Sequence, residues 1–318
     1  MLATRRAYGA ALAAMGDDER IVALDGDVKN STFAEYFAKK VPDRYFEGRI
    51  AEQNMISTAV GLAASGRIPF VSSFAKFLVR GYDQIEMAAI SNANVKLCGS
   101  HAGVSLAADG PSQMGLPDLA FMRSFAHSKR VDGTPALKFF QPSDAVSAFK
   151  LTELMANVDG MCYMRTHRPD VPFIYAEEET FEVGGFKHLV DGEDLVIVAS
   201  GYMVTIAQQA LAALEEQTGL SAGLIDVYSL PLAQPASILQ IGDDCRGQIL
   251  VLEDNYAGGV YDEIAVAAAT SDFGVVVDGM VLHNIPKSAR TPAETLALVH
   301  LSVADVVSAA QKMFDQAD

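Results

Sequence analysis

Short, mostly apolar runs alternate with helix-length segments along almost the whole chain, and this alternation constrains the fold more than any other feature of the sequence. The runs Arg20-Ile-Val-Ala-Leu, Pro69-Phe-Val-Ser-Ser, 95–99, 137–141 and 161–165 are bounded by polar turns, as strands buried on both faces are. Residues 44–50 are a further strand candidate. Between the runs, residues 4–15, 33–40, 51–65, 76–91 and 143–157 read as helices, with Gly16 and Gly66 as stop signals. Strand–helix alternation predicts a parallel sheet covered by helices on both faces. Ligands bind such sheets beyond the carboxyl ends of the strands. The loops expected there carry Asp27, Glu52, Ser73, His101 and Arg168.

Residues 176–191 interrupt the pattern with Glu177-Glu-Glu, Gly184-Gly and Asp191-Gly, a linker composition. A second unit follows. Residues 194–200, 224–228 and 248–252 read as strands, and 204–216, 261–270 and 302–314 as helices. The expectation is an α/β protein of two doubly wound domains. The first spans 1–175, residues 176–191 link, and a smaller one spans 192–318. A chain of 318 residues is long enough for both.

The charge balance narrows the partners. Against 24 Lys and Arg stand 40 Asp and Glu, a net charge of −16. Nucleic acid and anionic membrane reward the opposite balance, so neither is expected as a main partner. An anionic substrate would need a local basic pocket built against this field. Cys98, Cys162 and Cys245 form no CxxC pair, which argues against a zinc site or a disulfide framework and fits a reducing cytoplasm. No run of about 18 apolar residues is present, so no membrane span is expected. The start, MLATRRAYGAALAAMG, is alanine-rich, only weakly hydrophobic and runs into acidic residues, so an amphipathic first helix is expected rather than a secretion signal. No GxGxxG, GxxxxGK[ST], HExxH or GxSxG occurs, and no metal site is expected within the chain.

The run Ile50-Ala-Glu-Gln-Asn-Met-Ile-Ser resembles the pyrimidine-binding module of transketolases, enzymes dependent on thiamine diphosphate. Further segments agree in order: Ala3-Thr-Arg-Arg-Ala-Tyr, Leu24-Asp-Gly-Asp-Val-Lys-Asn-Ser-Thr-Phe, Ser72-Ser-Phe-Ala-Lys-Phe and Tyr82-Asp-Gln-Ile-Glu-Met-Ala-Ala. Then come Leu97-Cys-Gly-Ser-His-Ala-Gly-Val-Ser and Asp109-Gly-Pro-Ser-Gln-Met. In the second unit, Val251-Leu-Glu-Asp-Asn-Tyr-Ala-Gly-Gly and Asn284-Ile-Pro-Lys-Ser also look like the family. The resemblance covers nearly the whole chain but only part of the enzyme. The domain that grips the diphosphate through Mg²⁺ precedes this region in a full transketolase. The resemblance therefore implies the C-terminal subunit of a split transketolase: a pyrimidine-binding domain and a transketolase C-terminal domain. A separate N-terminal subunit would supply the Mg²⁺ ligands, and this chain would form a homodimer within the complex.

The resemblance also implies roles. Glu52 would hydrogen-bond the aminopyrimidine and activate the cofactor. Phe77, with Phe74 and Tyr82, would form an aromatic wall against that ring, and Asp27 would contact the cofactor or order the dimer interface. His101 and Gln113 would contact the ketose donor, His101 also assisting proton transfer, and Asp109 would read a hydroxyl of the sugar. Arg5, Ser31 and Arg168 would hold the phosphate of sugar-phosphate substrates. On its own helix Arg80 has no acidic neighbour and reads as a solvated residue. The implied activity is transfer of a two-carbon ketol unit from a ketose phosphate to an aldose phosphate in carbohydrate metabolism, of the pentose-phosphate type. Two alternatives stay open. One is another thiamine enzyme half, similar to deoxyxylulose-phosphate synthase or a 2-oxo acid dehydrogenase β subunit. The other is a non-catalytic dimerisation module.

Overall fold

The computed structural model describes residues 1–316. Seven strands build the first sheet, in the spatial order Ser229–Leu230, Leu137–Phe140, Met161–Arg165, Lys96–Ser100, Ile68–Phe74, Ile21–Asp25 and Tyr45–Glu47. All neighbours run parallel except Ser229–Leu230, which lies antiparallel on one edge. Every residue of Ile21–Asp25, Lys96–Ser100 and Met161–Arg165 is buried, which is why these strands read as continuous runs. Successive side chains still serve opposite faces. Val22 and Leu24 pack with Met55, Ile56 and Ile85 of helices Glu52–Ala64 and Tyr82–Ile90. Ile21 and Ala23 pack with Tyr8, Leu12, Leu151 and Met155 of helices Thr4–Ala14 and Ala145–Asn157.

The second sheet has five strands, in the order Val276–Leu282, Gln248–Tyr256, Leu195–Ala199, Ala222–Asp226 and Lys187–Val190, the last antiparallel. Leu195 and Ile197 pack beneath helices Tyr202–Thr218 and Val303–Asp315. Val196 and Val198 face Ile238, Leu239 and Ile264 of helices Pro235–Asp244 and Val260–Ala269, in a cluster that continues into the first unit through Leu119, Met122 and Leu137. The α/β expectation with two doubly wound sheets is met. The two units share one continuous apolar face.

Several elements differ from the sequence reading. Residues 176–191 contain the strand Lys187–Val190, and Ser229–Leu230 crosses back to the first sheet, so the two units interlock. Phe33 takes a left-handed conformation, φ +63°, and separates the helices Lys29–Thr32 and Glu35–Lys40. The helix expected at 76–91 breaks into Ala75–Leu78, a tight turn Val79–Gly81, and Tyr82–Ile90. The helix Asp118–Ala126 lies in a stretch to which the sequence reading assigned no element. The segment Pro292–Asp315 is long and apolar enough in composition to cross a membrane, which the sequence reading did not expect. It is two helices, Pro292–Leu298 and Val303–Asp315, the second started by a capping box at Ser302, and Leu296, Val306, Val307, Ala310 and Met313 are buried in the second core.

Candidate active site

The carboxyl edge of the first sheet collects the polar groups. Strand register sets Asp25 beside Ser72, Phe74 beside Ser100, and Gly99 beside Arg165. The chain therefore leaves the sheet at Asp25, Phe74, Ser100 and Arg165 on one side, and the loops that follow meet there. Glu52 starts its helix beside this edge and is 3 % exposed.

A continuous series of contacts runs from Glu52 to Arg5. Glu52 Oε2 lies 3.8 Å from Arg80 Nη1, and the Arg80 guanidinium lies 5.2 Å from the centre of the Phe77 ring. Phe77 stacks on Phe74 at 5.1 Å with an interplanar angle of 10°. Phe74 stacks in turn on His101 at 3.8 Å. His101 Nε2 is 3.4 Å from Arg5 Nη1, which also donates to the Ser31 carbonyl at 2.9 Å. Arg168 Nη1 pairs with Asp109 Oδ2 at 3.1 Å, and Arg5 and Arg168 line one cavity. The structure thus brings together Glu52, Phe74, Phe77, His101, Arg5, Ser31, Arg168 and Asp109. Ser31 joins through its backbone carbonyl. The expectation for Arg80 is corrected. The 79–81 turn swings it back onto the Glu52 carboxyl, so its acidic partner comes from another helix.

Three expected residues sit apart from this series. Asp27 is exposed, with φ +66°, and its N–H donates to Glu47 Oε1 at 3.0 Å. Tyr82 is exposed and lies against Phe121 at 5.2 Å. Gln113 is half-buried in the 101–115 loop, where its N–H donates to the Gly110 carbonyl at 3.1 Å.

His101 is buried in an unusual backbone state, φ +59°. Burial, followed by the charges of Arg5 and Arg168, lowers its pKa to about 3. The imidazole is therefore neutral at neutral pH. Arginine can only donate, so its contact assigns the lone pair to Nε2, and the Nδ1 proton faces Ser100 Oγ at 3.0 Å. His167 is fully buried, and burial with the Arg165 charge likewise holds its pKa at about 3. Ring-selective NMR should find neither His101 nor His167 titrating between pH 5 and 8. A protonation step for either ring inside that window would overturn this assignment.

The sequence reading missed a polar layer beneath the loop. Arg165 and Asp118 form an ion pair at 2.9 Å with both side chains fully buried. Tyr163 OH donates to Asp118 Oδ2 at 2.7 Å, and Arg165 also donates to Gln141 Oε1, Asn255 Oδ1 and the Gly115 carbonyl. Asp254 Oδ2 accepts from the Val104 N–H at 3.2 Å. This layer ties the 101–115 loop to the second unit. Asp25 was also missed. It accepts from Thr32 Oγ1 at 2.6 Å and the Val28 N–H at 2.7 Å, and burial raises its pKa to about 7. It braces the turn that presents Ser31. The signal available was a carboxylate ending an all-buried strand.

Whether a thiamine-type cofactor suits these residues can be tested on one atom. Glu52 Oε1 is buried and has no hydrogen-bond partner. A buried acceptor in that state needs a donor from outside the chain. The Phe74–Phe77 stack lies beyond Arg80. A flat ring bearing a nitrogen donor meets both requirements, so the aminopyrimidine end fits. For the metal, no cluster of three or more His, Cys, Asp or Glu side chains occurs among the described residues.

Comparison with known proteins identifies the family of the two units. Residues 1–173 match the family model of the transketolase pyrimidine-binding domain, and residues 184–306 that of the transketolase C-terminal domain. The chain is 43 % identical to transketolase of Mus musculus over 312 residues, covering 97 % of this chain and 48 % of that protein. Against transketolase of Homo sapiens it is 43 % identical, covering 93 % and 46 %. The chain thus spans about half the length of these relatives. Among solved structures, a split-gene transketolase described as an inactive beta4 tetramer superposes with a TM-score of 0.87 and 32 % identity, covering 100 % of both chains. Transketolase from Leishmania mexicana shares the fold, with a TM-score of 0.81, 21 % identity, and coverage of 99 % of this chain and 46 % of that one.

Proposed function

The chain belongs to the transketolase family, and we propose that it is the pyrimidine-binding and C-terminal subunit of a split, thiamine-diphosphate-dependent transketolase. It transfers a two-carbon ketol unit from a ketose phosphate to an aldose phosphate once joined to a subunit that holds the diphosphate and Mg²⁺. The observation that carries the reading is the unpartnered, buried Glu52 Oε1 near the Phe74–Phe77 stack. The split arrangement is supported by the end-to-end match with the split-gene transketolase chain. That protein is a tetramer of such chains, and a homodimer of this chain within the larger complex, in the cytoplasm, belongs to the same proposal.

Bound thiamine diphosphate supplies the nucleophilic carbon that carries the two-carbon unit. The protein does the rest. Glu52 presents Oε1 to a ring nitrogen with which it can exchange a proton, and Phe77 and Phe74 fix the ring plane. When Arg5 turns from its 3.4 Å contact with His101 to the substrate phosphate, neutral His101 offers the freed Nε2 lone pair to a substrate hydroxyl. It therefore orients and accepts, and does not enter the reaction as a cation. Arg5 and Arg168 hold the substrate phosphate, for which the Arg fork is suited. Asp109 keeps Arg168 in place and offers an acceptor to a sugar hydroxyl. Gln113 lies on the same loop, and it can orient but not exchange protons.

The test assays the chain alone and together with the diphosphate-binding polypeptide from the same genome. Alone it should bind thiamine diphosphate poorly and show no measurable turnover. The pair should transfer from a ketose phosphate. Robust turnover by the isolated chain would refute the split arrangement. Activity with pyruvate and none with ketose phosphate would mark another thiamine enzyme half, and assembly without turnover on any donor a non-catalytic module.

A further inference from the structure

The second unit reaches the edge where the proposed substrate phosphate binds. The loop after strand Val276–Leu282 crosses to the 101–115 loop, where Ser288 lies against Gly110 so closely that a Cβ there would collide with its hydroxyl. Two residues on, Arg290 lines the cavity shared by Arg5 and Arg168, together with Ser105, Pro169 and Pro292. The Arg290 N–H donates to Glu294 Oε2 at 2.9 Å, which fixes the backbone. Its guanidinium has no hydrogen-bond or ion-pair partner among the described residues.

Three arginines around one space is an expensive arrangement in a chain of charge −16. Arg168 is offset by Asp109 at 3.1 Å. Arg5 is offset by no carboxylate within ion-pair distance among the described residues, and burial and then the Arg168 charge lower its pKa against the opposing pull of the more distant Asp170 and Asp109. The cluster is short of negative charge, and a phosphate carries nearly two. The cavity holds about 280 Å³. That is small for a ligand site, enough for a phosphate and the end of a sugar chain but not for a nucleotide.

We propose that Arg290 is a specificity-determining residue that gives the phosphate end of the substrate a third guanidinium, so that the second unit helps to select phosphorylated over unphosphorylated sugars. The proposal rests on the transketolase reading above.

In the reconstituted enzyme, Arg290→Gln should raise KM for ribose 5-phosphate about tenfold and leave kcat and the kinetics with unphosphorylated ribose unchanged. Arg290→Lys should fall between the two, because it keeps a point charge and loses the fork. Lys287→Gln changes a cation on the same loop that does not line the cavity, and it should have no effect. Calorimetry with inorganic phosphate on the chain alone provides a readout independent of turnover, and Arg290→Gln should weaken that binding about tenfold. If the pair shows no ketol transfer while phosphate binding still depends on Arg290, the anion site stands and the proposed activity fails. If transfer is normal and Arg290→Gln keeps both the wild-type preference for the phosphorylated sugar and the wild-type phosphate affinity, the inference fails and the activity stands. An equal effect of Lys287→Gln would also overturn it, since the loop's charge would then suffice.

Discussion

Glu52→Gln should reduce turnover of the reconstituted enzyme by at least about a thousandfold, equivalent to about 4 kcal/mol of transition-state stabilisation, with fold and assembly unchanged. The expectation follows from what each carboxyl oxygen does in the protein. Oε1 is buried and makes no hydrogen bond, so its replacement breaks none within the chain. Oε2 faces Arg80 at 3.8 Å, but the Arg80 side chain is 60 % exposed. The contact is long and its arginine end is solvated, and a glutamine amide oxygen can still face the guanidinium. Glutamine has nearly the same shape and can begin the same helix. What it cannot do is exchange a proton with a ring nitrogen. Steady-state rates, gel filtration of the assembled complex and thermal melting of the variant check the three parts. Wild-type turnover would remove Glu52 from cofactor activation. Failure to assemble would make it a structural residue instead.

How much of this could be read from the sequence depended on whether a residue's own neighbourhood along the chain reports its surroundings. Strands such as Ile21–Asp25 and Met161–Arg165 are buried on both faces, so composition alone marks them. Strand Val276–Leu282 lies at the edge of the second sheet with its first five residues half-buried or exposed, and no apolar run betrays it. Helix Pro235–Asp244 carries Pro at its first position, a start signal that was available, and buries Ile238, Leu239 and Gly242 on one side. Among site residues, family-like motifs brought Glu52, His101, Arg5 and Arg168 into view. The geometry then set Asp27 and Tyr82 outside the series of contacts. Partners that meet only through tertiary packing left no local trace. Arg80 meets Glu52 across two helices, Arg165 meets Asp118 across a strand and a helix, and Arg290 comes from the other unit. Periodicity tells which face a residue occupies, but not what stands opposite.

Arg165→Met should destabilise the chain by about 3–5 kcal/mol, a large share of the roughly 5–15 kcal/mol by which domains are stable. The methionine fills much of the same volume, so the loss is electrostatic. Arg165 is fully buried, and although burial works against its charge, Asp118, Asp254 and Glu253 raise its pKa. Without it, Asp118 keeps only the Tyr163 hydroxyl, and Asp254 keeps the Val104 N–H with its other oxygen unpartnered. Burial already raises the pKa of Asp254 with the arginine present. In the variant the buried carboxylates should take up protons in the folded state more readily than in the unfolded one. Groups with pKa raised by folding contribute stability at low pH and lose it as pH rises. The deficit of the variant, from urea midpoints against the parent chain, should therefore be largest near pH 8 and shrink toward pH 5. Adding Asp118→Leu should recover part of the loss, because a buried ion pair replaced whole by apolar side chains often costs little. A loss below about 1 kcal/mol, or one that stays constant with pH, would mean that water or the backbone already compensates these charges. The Gly115 carbonyl and Asn255, both held by Arg165, would then need another anchor to keep the 101–115 loop against the second unit.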